Sequence, residues 1–257
     1  MTDEKLTSNG YWHNFWSDTS KARPLFGRPI SVFQKQFDRW LPRNADWTAI
    51  EIGAYPGANL LALCLSHKYR PVALDILPQV MELPAAAERA GIHGLEALHQ
   101  DFLHWETDRR FNVVVSFGFI EHFADPAAVL KKHWELVAPD GYLVVSVPLF
   151  SPVQLMVRKI AFTPEKMQEL YAVHNAQVMT IRGFRQLCRE VPGADVKFLG
   201  PVANMMMPYS GNEPFVRPVG RWIVRAMRLV NHLPRLIGWS SGLFSPSALM
   251  IARKPPA

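Results

Sequence analysis

Cysteine is scarce in the sequence, and long apolar runs are missing from it. Only two cysteines, Cys64 and Cys188, occur among the 257 residues, and neither lies in the ligand spacing of a zinc site. A disulfide framework is therefore excluded as the source of stability, and we expect a reducing, cytoplasmic setting. No run of about 18 apolar residues is present that could span a bilayer. The polar segment 1–6 lacks the apolar stretch of a signal peptide.

Acidic residues are almost missing from the last part of the chain. From Lys197 onward, eight lysines and arginines accompany a single acid, Glu213. The preceding 196 residues hold 20 basic and 21 acidic side chains, so they are close to neutral. We therefore expect any anionic partner to bind the C-terminal part.

The basic residues of this part follow one side of a predicted amphipathic helix at 216–237. Three interpretations stay open. The helix covers a pocket, or it lies on an anionic membrane surface, or it contacts a phosphate-bearing substrate or nucleic acid. Trp222, Trp239 and Phe244 resemble interfacial anchors and favour a peripheral position at the inner membrane surface over nucleic acid. Nucleic acid is disfavoured because no RNA-binding module is recognisable.

Strand and helix patterns alternate from residue 48 onward. Apolar stretches predict seven strands, near residues 48–52, 71–74, 94–98, 111–116, 142–147, 196–199 and 248–252. Helical patterns separate them at 57–67, at 79–90, and from a cap at Asp125 to about Val137. Continuous apolar strands that alternate with helices predict an α/β fold with a doubly wound, mostly parallel seven-stranded sheet.

We expect two regions in the chain. Residues 1–47 should form a helical N-terminal cover, and 48–257 should form the main domain with helical insertions at about 151–178 and 201–245. The cover is rich in aromatic residues, including Trp12 and Trp16. These form either a lid that excludes water from a site or a helix that packs on the core.

The loop after the first predicted strand suits a nucleotide ligand. Gly53 and Gly57 permit a tight turn close to a ligand, and the amide end of the next helix favours an anionic group. Asp75 follows Gly53 by 22 residues and ends the second strand, where a carboxylate can accept both hydroxyls of a ribose. A strand-end turn is the structural alternative for Asp75. The two glycines do not follow the G-x-G-x-x-G pattern, so an NAD-dependent dehydrogenase is disfavoured.

Four motifs in order resemble those of class I S-adenosylmethionine (SAM)-dependent methyltransferases. The run FNVVVSFGFIEHFADP at 111–126 resembles the fourth-strand segment of that family, and LVAPDGYLVVSVP at 136–148 resembles the next turn and strand. With the loop 51–57 and the acids Asp75 and Asp101, the likeness extends over about residues 48–150. It implies a Rossmann-like methyltransferase fold with SAM as the cofactor.

The resemblance also implies which residues bind the cofactor. Those assigned to its methionine part are Glu51, Gly53, Ala54, Gly57, Phe117 and Gly118. Those assigned to its ribose and adenine are Asp75, Ile76, Asp101 and Phe102. Tyr55 departs from the family pattern, which often has a third glycine there. Its side chain would narrow the pocket or direct a phenol into it.

Two histidines are candidate catalytic residues, because an alcohol acceptor needs help in losing its proton. The resemblance places His122 beside the cofactor, and His174 lies in a His-Asn pair similar to that of some sugar-modifying methyltransferases. The structural alternatives are that His122 braces the following helix and that His174 is an exposed loop residue.

These features favour O-methylation of a hydroxyl on a glycan or another small metabolite. No carboxylate cluster follows the fourth strand, so we predict a metal-independent reaction and no metal site. N-methylation stays open. The alternatives are a non-catalytic SAM-binding or membrane-associated scaffold and an RNA methyltransferase.

Overall fold

One seven-stranded sheet organises the protein. The computed structural model describes residues 5–17, 31–202, 212–230 and 240–256. The strands are β1 Thr48–Ile52, β2 Arg70–Asp75, β3 Glu96–His99, β4 Phe111–Phe117, β5 Val137–Pro148, β6 Asp195–Val202 and β7 Ser247–Arg253. They lie in the order β3-β2-β1-β4-β5-β7-β6. The first five pair in parallel, and β7 runs antiparallel to both of its neighbours. The predicted doubly wound α/β sheet is confirmed.

Helices cover both faces of this sheet. They are α1 Asn9–Ser17, α2 Gln34–Trp40, α3 Ala58–His67, α4 Leu83–Arg89, α5 Pro126–Leu136, α6 Pro152–Ala161, α7 Pro164–Ala172, α8 Ile181–Cys188 and α9 Pro218–Val230. Short 3-10 turns at Pro78–Glu82 and Ile120–His122 precede α4 and α5. The division of the chain into a cover and a main domain at residue 48 stays a prediction.

The core has two halves because successive side chains of a strand point to opposite faces. Val114 packs with α5 and α8 on one face, whereas its neighbours Val113 and Val115 pack with α2, α3 and α4 on the other. All three valines are fully buried. Burial of such a side chain stabilises the fold by about 1.5–3 kcal/mol. The β-branched run of β4 is therefore well suited to the middle of the sheet.

Two predicted elements differ from the observed ones. The predicted helix at 79–90 is divided into a 3-10 turn and α4, because Pro84 lacks the backbone N–H of a continuous helix and its ring would clash with the preceding turn. The Asp140–Gly141 turn lies inside β5, which begins at Val137. The register with β4 shifts there, and Asp140 takes a left-handed φ of 61°. The turn residues thus form an irregularity within a strand.

The insertions form a small helical unit beside the sheet. Val157 and Ala161 of α6 pack against Val216 and Val224. At Gly220 the α9 backbone approaches α6 so closely that a Cβ would lie 2.5 Å from the Ala161 carbonyl oxygen. Residues 231–237 of the predicted basic helix, and Trp239 after it, lie outside the described residues. Among the helices described, none combines the length and apolar character needed to cross a membrane.

Both cysteines lie inside the fold. Cys64 of α3 and Cys188 of α8 are free thiols and are buried at 3% exposure each. Burial raises the pKa of both thiols, since a thiolate would lose its solvation. Neither thiol is therefore activated for chemistry.

Candidate active site

A cleft of about 760 Å³, part of it open to solvent, lies beyond the carboxyl ends of the parallel strands. The strand order reverses between β1 and β4, which is where ligands bind in open parallel sheets. The predicted residues that line the cleft are Gly53, Asp75, Ile76, Asp101, Phe102, Phe117, Gly118 and His122.

The other predicted residues of the first loop shape the cleft from behind. Glu51 is buried and accepts a hydrogen bond of 3.0 Å from the Leu60 backbone N–H, near the start of α3. Burial raises the pKa of this carboxyl group, with the bond from Leu60 acting against the shift. Gly57, at a left-handed φ of 85°, begins α3, and Ala54 is buried. These three residues set the path of the loop rather than line the cleft.

Asp75 is held at the end of β2 by two backbone amides. Its Oδ2 accepts from the Tyr55 N–H at 2.9 Å, and its Oδ1 accepts from the Leu77 N–H at 2.8 Å. Burial raises the pKa of Asp75, while these bonds oppose the shift. Each carboxylate oxygen has more than one lone pair, so both can accept a further bond from a ligand hydroxyl.

Asp101 lies at the next strand end and has cationic neighbours. Lys5 and His104 both donate to its Oδ2. Burial raises the pKa of Asp101, but these bonds and one from the Leu103 N–H outweigh it and leave the pKa below its ordinary value. Phe102 beside it is buried against the rings of Phe119 and His133. Its ring thus forms part of a firm apolar wall.

The N-terminal segment closes one side of the cleft. Leu6 N–H donates to the His122 carbonyl oxygen at 2.8 Å, and Trp12 Nε1–H donates to Thr7 Oγ1 at 3.0 Å. Trp12 also meets the His122 ring edge-on, with centroids 4.6 Å apart, and Trp16 meets Tyr55 in the same way. Trp12 and Trp16 line the cleft and also pack against the half of the core that contains Tyr55, so the structure supports both interpretations of these aromatics. Nothing in the sequence pattern identified Lys5 or Thr7 as cleft residues.

Three polar side chains meet at the end of the cleft that His122 lines. The rings of His122 and His174 lie 4.5 Å apart, and Oε1 of Glu121 is 3.6 Å from Nε2 of His122. His174 lies behind His122 and is not itself part of the cleft lining. It is half-buried rather than an exposed loop residue. The sequence did not single out Glu121.

The protonation states of these three side chains follow from their burial and their hydrogen bonds. Nδ1 of His122 donates to the Val173 carbonyl at 2.8 Å, and Nδ1 of His174 donates to the Leu170 carbonyl at 2.7 Å. Burial lowers the pKa of His122 to about 3 and also lowers that of His174, so both rings are neutral near pH 7 with a lone pair on Nε2. Burial raises the pKa of Glu121 to about 8.

Comparison with protein families agrees with this geometry. The model of a family described as a methyltransferase domain matches residues 23–191, about two thirds of the chain and all of β1 to β5. The chain belongs to the class I SAM-dependent methyltransferases. No curated protein sequence gives a significant match to this methyltransferase.

Solved structures similar to the methyltransferase share its fold at low sequence identity. One is a complex of the Haloferax volcanii Trm112 methyltransferase activator with a candidate methyltransferase, at 18% identity and a TM-score of 0.61, covering 94% of this chain and 97% of that one. Another is magnesium protoporphyrin IX methyltransferase from Synechocystis PCC 6803 with bound S-adenosylhomocysteine (SAH), at 13% identity, a TM-score of 0.53 and coverage of 94% and 96%. The [4+2]-cyclase SpnF has 13% identity, a TM-score of 0.58 and coverage of 98% of both chains. At these identities the likeness establishes the fold alone.

Proposed function

We propose that this methyltransferase binds SAM along the cleft and transfers its methyl group to a hydroxyl of a small acceptor, with a glycan as the preferred class. The observation that carries the proposal is the pairing of two groups in one cleft. Asp75, whose carboxylate is held by backbone amides, and His122, whose Nδ1 donates to a carbonyl so that Nε2 keeps a lone pair, both line it. When bound, SAM supplies an activated methyl group on its sulfonium.

The cleft has the features that an adenosyl ligand needs. Gly53 lines the cleft, and its lack of a side chain lets the Phe119 ring pack directly against the loop, because a Cβ there would lie 2.5 Å from that ring. We assign the ribose to Asp75 and Ile76, and the adenine to Asp101 and Phe102. The residues assigned to the methionine part are Gly53, Phe117 and Gly118 as lining and Glu51, Ala54 and Gly57 as supports of the loop.

The two histidines are assigned to the acceptor end. With Nδ1 donating to a backbone carbonyl, Nε2 of His122 can accept a hydrogen bond from an acceptor hydroxyl. A pKa of about 3 makes His122 a weak base, so it chiefly orients the acceptor oxygen toward the methyl group and takes the hydroxyl proton only as the new C–O bond forms and SAH leaves. His174 holds the neighbouring position and supports the orientation of His122 through ring contact.

The lining of this end supports a glycan or a similar small hydroxylated acceptor. Trp12 meets the His122 ring at this end, and Trp16 and Tyr55 add further aromatic surface to the cleft. Such rings pack against apolar faces while their polar edges form hydrogen bonds, and a sugar offers both kinds of surface. The cover formed by α1 also limits the size of an acceptor that can enter.

Calorimetry with SAH tests the cofactor part of the proposal. Asp75→Asn removes the charge that would accept the ribose hydroxyls, so we expect SAH to bind roughly ten- to hundredfold more weakly. The exposed Asp108→Asn is the matched control and should bind SAH as the unmodified protein does. Equal affinities in all three proteins would overturn the assignment of Asp75.

The reaction itself is tested by SAH release against a panel of sugars, other alcohols and amines. Turnover on hydroxylated acceptors supports O-methylation. Turnover restricted to amines would replace it with N-methylation. Tight SAH binding with no turnover on any acceptor would favour the non-catalytic scaffold.

Peripheral membrane binding is a second property that one observation favours. On α9, the buried stripe contains Gly220 and Val224, and Trp222 is 72% exposed because it lies on the opposite side. Arg225 lies over the Trp222 ring at 5.6 Å, so aromatic and basic side chains share one exposed face. Such a face suits an anionic lipid surface.

Co-sedimentation with phosphatidylcholine vesicles that contain phosphatidylserine tests this property. The double variant Arg221→Ala/Arg225→Ala should bind roughly 30-fold more weakly at low salt, since each surface arginine contributes about 1 kcal/mol. Met81→Ala removes an exposed apolar side chain elsewhere and serves as the control. Absence of any binding by the unmodified protein at low salt would exclude the membrane interpretation.

A further inference from the structure

We propose that Glu121, His122 and His174 form a binding site for one divalent transition-metal ion of the Zn²⁺ class at the acceptor end of the cleft. The ion would occupy Nε2 of His122, so that the ion rather than this nitrogen would contact the acceptor oxygen, in place of the metal-independent chemistry expected from the sequence. Its role in the reaction rests on the proposed function, whereas the site itself can be tested without turnover.

The donor set matches such an ion. Each of the three residues offers one ligand atom, and these atoms all lie within 4.8 Å of one another. Nε2 of His122 and Oε1 of Glu121 are already 3.6 Å apart. Ligand atoms around tetrahedral zinc lie about 3.3 Å apart, given bonds of about 2.0–2.1 Å. Rotation about the side-chain torsions can bring these ligand atoms closer by about an ångström, which would complete a three-ligand set around the ion.

Both imidazoles are presented in the tautomer that metal binding requires. A carbonyl oxygen can only accept, so the Nδ1 atoms bonded to Val173 and Leu170 carry the hydrogens. Both Nε2 atoms therefore have free lone pairs. A backbone carbonyl on the second nitrogen is also the usual support of a metal-bound histidine, because it fixes the ring orientation.

The buried side chain of Glu121 is the strongest evidence for a ligand at this site. The side chain is 1% exposed, and within the described parts of the chain its Oε2 has no hydrogen-bond partner. Its other carboxyl oxygen, Oε1, lies 3.6 Å from Nε2 of His122. A buried polar oxygen without a partner is costly, and a bound divalent ion would supply one.

Backbone hydrogen bonds hold the three ligands together although they lie between residues 121 and 174 of the sequence. Asn175 N–H donates to the Glu121 carbonyl oxygen at 2.6 Å, and the His122–Val173 bond fastens the same two segments. Since His122 also lines the cleft, the open coordination position of a three-ligand site would face the acceptor. There the ion would polarise an acceptor oxygen.

Metal titration of the full chain tests the inference. After treatment with a chelator, the protein should bind one Zn²⁺ per chain in calorimetry and should give a Co²⁺ visible spectrum typical of nitrogen and oxygen ligands. Glu121→Gln and His174→Gln should each weaken Zn²⁺ binding at least tenfold. Glu88→Gln is the matched control, because it removes the carboxylate of an exposed Glu–His pair and should leave the high-affinity site unchanged.

The outcomes separate this inference from the proposed function. Failure of the unmodified chain to bind one equivalent of Zn²⁺ or Co²⁺ would overturn the metal site, and so would unchanged binding in both ligand variants. SAH affinity and the melting temperature of each variant, measured alongside, establish that the fold is retained. SAH binding without metal binding leaves the proposed function intact. Metal binding without SAH binding would support the metal site and would overturn the proposed function.

Discussion

Gly53 is the residue whose size matters most for the cleft. Both Gly53 and Gly91 have a left-handed φ, near 71° and 76°. A Cβ on Gly53 would lie 2.5 Å from the Phe119 ring, whereas a Cβ on Gly91 would meet nothing within 4 Å. We expect Gly91→Ala to lower the free energy of unfolding by about 1 kcal/mol through backbone strain alone. Gly53→Ala should lower it by about 2–4 kcal/mol because the overlap adds to the strain. Urea denaturation measures both values, and equal losses would contradict the steric role of Phe119.

The sequence predicted the positions of single residues well where spacing along the chain determines them. Asp75 ends β2 as expected, because a short strand, a helix and a second strand occupy a nearly fixed number of residues. Its two amide partners could not be predicted, since they depend on the path of the 53–57 loop. The meeting of Glu121 with His174 was missed for a similar reason. No local pattern indicates that the segment after α7 folds back onto the end of β4.

Among the helices, the role of the short α1 could not be predicted from its sequence pattern. Its aromatic pattern was compatible with a lid and with a core helix, because either surface can bury the same rings. In the fold the tertiary contacts are of both kinds: Trp12 meets His122 at the cleft, and Trp12 and Trp16 also pack against the core. Helix caps at Asp125 and Thr163, in contrast, act within one turn and were predictable.

Loss of the Trp12 ring should open the cover of the cleft. Trp12→Ala removes the edge-on contact with His122 and the hydrogen bond to Thr7. We expect SAH affinity to fall roughly tenfold, with most of the change in the dissociation rate, because aromatic contacts of this kind contribute about 0.5–1.5 kcal/mol beyond burial. Stopped-flow dissociation measures the effect. His13→Ala changes an exposed side chain of the same helix outside the cleft lining and should change the rate less than twofold. Identical rates for the two variants would argue against α1 as a cover.

For the whole molecule, the alternation of strands and helices was enough to predict the sheet and its two-sided core. The period of two along β4 and β5 assigns side chains to opposite faces without any tertiary information. The helical insertions were less predictable. The face that α9 buries depends on the close approach of Gly220 to α6, and no hydrophobic pattern reveals that a glycine will be the point of contact.

Stability should fall as the solution becomes acidic. His133 is fully buried, and burial lowers its pKa to about 4. Between pH 6.5 and 4 the unfolded chain therefore binds more protons than the folded one, so stability rises with pH across this window and is lost as the pH falls. The contribution of His133 is roughly 3 kcal/mol at most. Glu121 acts in the opposite sense, since its raised pKa lets the folded state hold its proton more tightly.

The comparison of variants isolates the contribution of His133. His133→Leu should show a smaller loss of unfolding free energy between pH 6.5 and 4 than the unmodified protein. His93→Leu, which changes a 78% exposed side chain, should follow the unmodified protein. Denaturant titrations at several pH values measure the slopes. A parallel pH dependence for the two variants would contradict the assignment.

The two buried cysteines make the molecule convenient for site-specific labelling. Because neither Cys64 nor Cys188 is exposed or ionised, maleimide reagents should leave the folded protein unmodified. A cysteine introduced by Phe15→Cys would then be the one reactive thiol. A fluorophore attached there would sense α1 approaching or leaving the sheet in real time, without the need to remove any native residue from the interior.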